Sequence, residues 1–248
     1  MITTVSGDKS LNGFKNILPH EHRFSDLRPL VSPLDDEDFY GKVKLSNFGK
    51  LTRNPYAILD NARLSDMDIQ VCELIEYKKS GGNLLVDVTT KDFGRNPKML
   101  LEVSKKSGVD IVAGCGHYIE VAVDEKFKSL SKEEIRESIL KDIFEGIDGT
   151  DIKAGVIGEI GTNMQMSEFE KKSLAAASEA QKESNCGMHI HACLWNREGL
   201  NALKYAISCG ANPEKVCVDH ADVLLDEEYS LGVLDLGAYI EFDDFAKE

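Results

Sequence analysis

Asn83-Leu84-Leu85-Val86-Asp87-Val88, set between Ser80-Gly81-Gly82 and Thr89-Thr90, is a near-continuous apolar run of the kind that forms a strand buried on both faces. Residues 66–79 before it carry Met67, Ile69, Val71, Cys72, Leu74 and Ile75 at roughly helical spacing and close on the paired glycines. Helix followed by strand is therefore the unit, and it recurs. Downstream, Asn96-Pro97 supplies a cap and an N1 proline, Gly108 ends the helix, and Ile111-Val112-Ala113-Gly114-Cys115-Gly116 is the next strand. Capping boxes at Ser131-Lys132-Glu133-Glu134 and from Ser167 to Glu170 open two more helices, which lead to strands at 155–160 and 187–193. A helix over 197–208, a strand at 216–220, a helix over 227–236 and a strand at 238–242 continue the series. Upstream, the first strand is expected from about Phe14 into His20, after a short extended segment and turn at 1–12. Residues 23–65 form a long polar excursion with Pro29, Pro33, Asp35-Asp36-Glu37-Asp38 and Pro55. A functional loop or lid and a solvated insertion are both open readings of it.

Seven short strands alternating with helices indicate a parallel sheet covered by helices. An open doubly wound sheet and a (β/α)8 barrel both fit that count, and the polar residues decide between them. His20 and His22 end the first strand, Thr89 and Thr90 the second, and His117 and Tyr118 follow the third. Glu159 ends the fourth, His189 and His191 the fifth, and His220 the sixth. In a barrel these strand ends converge on one mouth, where such folds carry their sites, whereas in an open sheet they would lie along a line. No Gly-x-Gly-x-x-Gly opens a helix, so a dinucleotide cradle is missing. The reading is one barrel domain over 1–248.

Composition narrows the partners. A net charge of -14 opposes the approach of phosphate backbones and anionic lipid, so nucleic acid and membrane partners are not expected. No apolar run approaches the ~18 residues of a membrane span, and the N-terminus lacks a basic segment followed by an apolar stretch. A cytoplasmic location is the default, and the six cysteines, with no Cys-x-x-Cys among them, suit reduced thiols.

His20-Glu21-His22 places two imidazoles two residues apart, and neutral imidazole is the commonest transition-metal ligand side chain. Together with Asn16-Ile17-Leu18-Pro19, Val86-Asp87-Val88-Thr89, Val156-Ile157-Gly158-Glu159-Ile160-Gly161-Thr162, His189-Ile190-His191, Val218-Asp219-His220-Ala221-Asp222 and Gly237-Ala238-Tyr239-Ile240-Glu241-Phe242-Asp243, it resembles the phosphotriesterase-related branch of the amidohydrolase superfamily. The likeness spans almost the whole chain. It implies a (β/α)8 TIM barrel with two divalent metals at its mouth, and hydrolysis of phosphotriesters, lactones or amides on small-molecule substrates. Position by position, it implies that His20 and His22 hold the more buried metal, His191 and His220 the more exposed one, and that Glu159 bridges them where many relatives carry a carboxylated lysine. It places His189 behind the ligands and Tyr118 among substrate-contacting aromatics, with packing at the rim as the plainer alternative.

The chemistry of the residues agrees. Four histidines and one carboxylate are a nitrogen-rich set that suits zinc, with manganese, cobalt or iron as alternatives. Two metals sharing a carboxylate can hold a water between them, lower its pKa and create a hydroxide nucleophile. One departure stands out. The family pattern completes the site with an aspartate on the eighth strand, and the chain as given ends at Glu248 after the seventh, so the catalytic base is unknown. A fragment of a longer hydrolase is the expectation, with a non-catalytic metal-binding pseudoenzyme as the competing class and a mononuclear deaminase-type site as a third. The open strand edges would favour pairing with a second copy as a homodimer.

Overall fold

Each apolar run becomes a strand of one all-parallel sheet in the computed structural model, which describes residues 1–244. The strands are β1 (Asn16–Glu21), β2 (Gly82–Asp87), β3 (Asp110–Cys115), β4 (Val156–Gly161), β5 (Gly187–His191), β6 (Val216–Val218) and β7 (Tyr239–Ile240). Between them lie α1 (Met67–Lys79), α2 (Pro97–Ser107), α3 (Lys132–Phe144), α4 (Glu168–Ser184), α5 (Glu198–Ser208) and α6 (Glu227–Asp235). The starts follow local chemistry. Asp66 and Asn96 cap α1 and α2 with their side chains, and Ser131 with Glu134 and Ser167 with Glu170 close full capping boxes.

The order across the sheet is strictly sequential, from β1 to β7. Parallel crossovers are right-handed, so a sequential order puts every helix on the same face and leaves the other face to curl on itself. The curl is visible in one contact: His20, at the end of β1, reaches Glu241 beyond β7, with Nδ1 to Oε2 at 3.3 Å. Neighbouring side chains alternate between the two faces. Leu84, Val88, Val112 and Val156 pack with Ile2, Phe14 and Val86 inside the curl, while Leu85, Ile111, Ala113, Ile157, Met188 and Ile190 join Leu74, Leu100, Val103, Ile135 and Leu174 of the helices. An N-terminal antiparallel hairpin, Ile2–Thr4 with Gly7–Lys9, brings Ile2 to the inner cluster.

The excursion between β1 and α1 is largely exposed but anchored at a few points. Its ends pair as an antiparallel ribbon, Ser25–Asp26 with Arg63–Leu64, and Phe39 and Ile58 are 1% and 0% exposed within it. Tyr56 from it lines the cleft at the strand ends.

Candidate metal centre

The ends of β1, β4, β5 and β6 deliver five side chains to one point. Strand β5 presents His189 and His191 inward because Met188 and Ile190 are committed to the helix layer. In β4 the alternation counted from Val156 would turn Glu159 toward the helices. The strand is irregular between Ile157 and Ile160, and this irregularity lets Glu159 face the interior with the histidines. Gly158 is required there: its φ is +121°, and a Cβ would come within 2.6 Å of the His189 carbonyl oxygen. His220 sits in the left-handed region at φ 62°, an uncommon conformation for a non-glycine residue and one that recurs at functional sites.

Glu159 is the hub. Its Oε1 lies 3.2 Å from His22 Nε2, and its Oε2 lies 2.8 Å from His191 Nδ1 and 3.6 Å from both His20 Nε2 and His220 Nε2. Two overlapping triads of closely grouped ligand atoms result, His20-His22-Glu159 and Glu159-His191-His220. The donor set fits divalent cations. His20 Nε2 is buried with no hydrogen-bond partner among the described residues, a polar atom left for a ligand to satisfy.

Electrostatics point the same way. Burial pushes the Glu159 carboxyl up, but the charge and hydrogen bond of His191 and the hydrogen bonds of His22 and His220 outweigh it and hold the group well below the carboxylate range. Burial pushes His220 down, yet hydrogen bonds to Asp243 and Glu159 raise it to about 10; His20, buried and bonded to Glu241, rises to about 8. Without metal, protons on these imidazoles supply the positive charge that the carboxylates demand.

The nitrogen that each ligand-type histidine turns away from Glu159 is also held. His20 Nδ1 meets Glu241 at 3.3 Å, His22 Nδ1 meets the Thr89 hydroxyl at 3.0 Å, His191 Nε2 meets the Tyr118 hydroxyl at 3.2 Å, and His220 Nδ1 meets Asp243 at 3.0 Å. His189 lies behind this set, its Nδ1 2.9 Å from Asp219. His117 is buried, bonded to Asp92 at 3.1 Å and packed between the rings of Phe127 and Phe169. Tyr118 lines the cleft as well as touching His191. Reading the sequence put Thr89 at the mouth and quoted Glu241 within the Gly237–Asp243 run without giving either a role, and it missed Tyr56.

The cleft over the triads has a volume of about 430 Å³, and its walls include Tyr56, Tyr118, Leu194, Asp243 and Asp244. No helix among the described residues is long and apolar enough to cross a membrane. All six cysteines are free thiols.

Comparison with known proteins adds the family. The model of the phosphotriesterase family matches residues 2–248. The chain is 31% identical over its full length to N-acetyltaurine hydrolase of Danio rerio, spanning 72% of that protein, and 33% identical over 84% of its length to N-acetyltaurine hydrolase of Dictyostelium discoideum, spanning 56% of it. Among solved structures, a resiniferatoxin-binding protein from Rhodobacter sphaeroides superimposes with a TM-score of 0.95 at 29% identity, covering 98% of this chain and 69% of that one. A phosphotriesterase homology protein from Escherichia coli gives 0.77 at 27% identity, covering 94% and 71%. With the seven parallel strands in sequential order and the histidine-glutamate cluster at their ends, these matches show that the chain belongs to the phosphotriesterase family.

Proposed function

We propose that this chain forms the core of a dinuclear metal-dependent hydrolase of small molecules, with His20, His22 and Glu159 holding the more buried ion and Glu159, His191 and His220 the more exposed one. One observation carries the reading: a single buried carboxylate lies within 3.6 Å of a ring nitrogen of all four histidines and belongs to both ligand triads. Zinc is the ion the donor set suits best. When bound, such a pair of ions supplies Lewis acidity, lowering the pKa of water and polarising the bond under attack.

The chain's own residues do the remainder. Glu159 balances positive charge from both sides, and the hydroxyls of Thr89 and Tyr118 orient His22 and His191. Tyr56, Tyr118 and Leu194 wall the cleft and would contact the substrate, with Tyr118 spanning substrate and ligand. Among the described residues no lysine or arginine lines it, so recognition there beside the ions rests on shape and on the tyrosines.

Relatives named for N-acetyltaurine hydrolysis make an N-acyl amide the first substrate class to test, ahead of lactones and phosphotriesters. The metal-loaded chain should hydrolyse members of an N-acyl aminosulfonate, N-acyl amino acid, lactone and phosphotriester panel, lose that activity on chelation and regain it on adding Zn²⁺. Two bound ions without turnover on any class would favour a non-catalytic metal-binding protein instead.

A further inference from the structure

Resting on the dinuclear reading, we propose that Glu241 and Asp243, two residues apart beyond β7, are positioning residues for two different ions: Glu241 for the buried one through His20, and Asp243 for the exposed one through His220.

A histidine that binds metal through one ring nitrogen carries its proton on the other. A carboxylate accepting that proton fixes the tautomer, locks the ring plane and makes the ligating nitrogen more basic. Both pairs are present. His20 points Nε2 at Glu159 and Nδ1 at Glu241 Oε2, 3.3 Å away; His220 points Nε2 at Glu159 and Nδ1 at Asp243 Oδ1, 3.0 Å away. Two other carboxylates approach His20 Nδ1, Asp219 Oδ2 at 3.5 Å and Asp243 Oδ2 at 3.3 Å. Neither makes a hydrogen bond to it: Asp219 and Asp243 bond His189 and His220 through Oδ1, and the Oδ2 atoms near His20 are close without hydrogen-bond geometry. Glu241 also stands 3.5 Å from His189, but that histidine has its nearer acceptor in Asp219. Glu241 is therefore the carboxylate that accepts the His20 Nδ1–H hydrogen bond.

The remaining ligand histidines are held by neutral hydroxyls, His22 by Thr89 and His191 by Tyr118. Each ion thus receives one imidazole braced by a carboxylate and one braced by a hydroxyl. The division gives Glu241 and Asp243 separable effects, although both leave the chain at nearly the same point.

The test is titration of the metal-free 248-residue chain with Co²⁺, read by its visible d–d absorption and by competition with a chelator. The wild type should bind two ions. Glu241→Ala should weaken one of them ~10- to 100-fold. Glu241→Gln, whose carbonyl oxygen can accept the same N–H, should lose less. The Glu241→Ala loss should vanish in a His20→Ala background and persist in a His220→Ala background, and Asp243→Ala should show the opposite dependence. Equal weakening of both ions with a fall in the metal-free Tm, or a loss that persists without His20, overturns the proposal. A wild-type chain that binds fewer than two ions rejects the dinuclear reading itself, with no variant involved.

Discussion

Replacing Glu159 by glutamine keeps the side-chain shape and removes the one charge that faces all four imidazoles. The carboxylate is 2% exposed, with nitrogens at 2.8 to 3.6 Å on both of its oxygens. Removing one partner from a buried set of charges costs about 3–5 kcal/mol. At 1.4 kcal/mol per decade, that predicts a loss of metal affinity of roughly 100- to 4,000-fold. Because Oε1 faces His22 while Oε2 faces His191, both ions should weaken together. The assay is equilibrium dialysis of wild type and Glu159→Gln against graded chelator, with elemental analysis of bound metal. If one ion is lost while the other keeps its wild-type affinity, Glu159 belongs to a single site and the bridging argument fails.

Two further predictions concern the scaffold. Arg95, with its side chain 0% exposed, ties Asp142 at 2.8 Å, Asp148 at 3.0 Å and the Gly114 carbonyl, so Arg95→Met should destabilise the fold by about 3–5 kcal/mol by leaving Asp142 buried without its guanidinium partner; a denaturation midpoint within error of wild type would refute this. In the excursion, hydrogen bonds from Arg28 to Asp26, from Lys50 to Asp36 and Asp38, and from Lys42 to Asp60 all hold these carboxylates below their ordinary value. Depressed folded pKa values mean that their support is complete above the unfolded value of ~3.9 and is lost as pH falls below it. Amide exchange over 26–63 should therefore accelerate below pH ~4 before exchange in the strands does, and high salt should reduce the effect because these pairs are largely exposed. Simultaneous loosening of both regions would count against it.

The helix-strand rhythm was legible in the chain because period, caps and breakers are local: Ser131 with Glu134 and Ser167 with Glu170 form the boxes that their spacing announced. The barrel over the open sheet was legible because polar residues cluster at strand ends, and parallel strands bring those ends to one side. That strand-end polar residues share one mouth was legible for the same reason, whereas singling out His20, His22, Glu159, His191 and His220 among them rested on the family resemblance. Other features lay outside what spacing can carry. Residues 23–65 have little periodicity, and their packing around Phe39 and Ile58 depends on contacts that no local pattern encodes. Strand alternation alone would have turned Glu159 outward; the irregularity after Ile157 exists only where β4 meets β5. The partners of the outward-facing imidazole nitrogens were equally hidden. His20 and Glu241 are 221 positions apart, and only closure of the curled sheet sets one carboxylate against one ring at hydrogen-bonding distance, since such a bond depends on ångström-scale geometry that residue order does not contain.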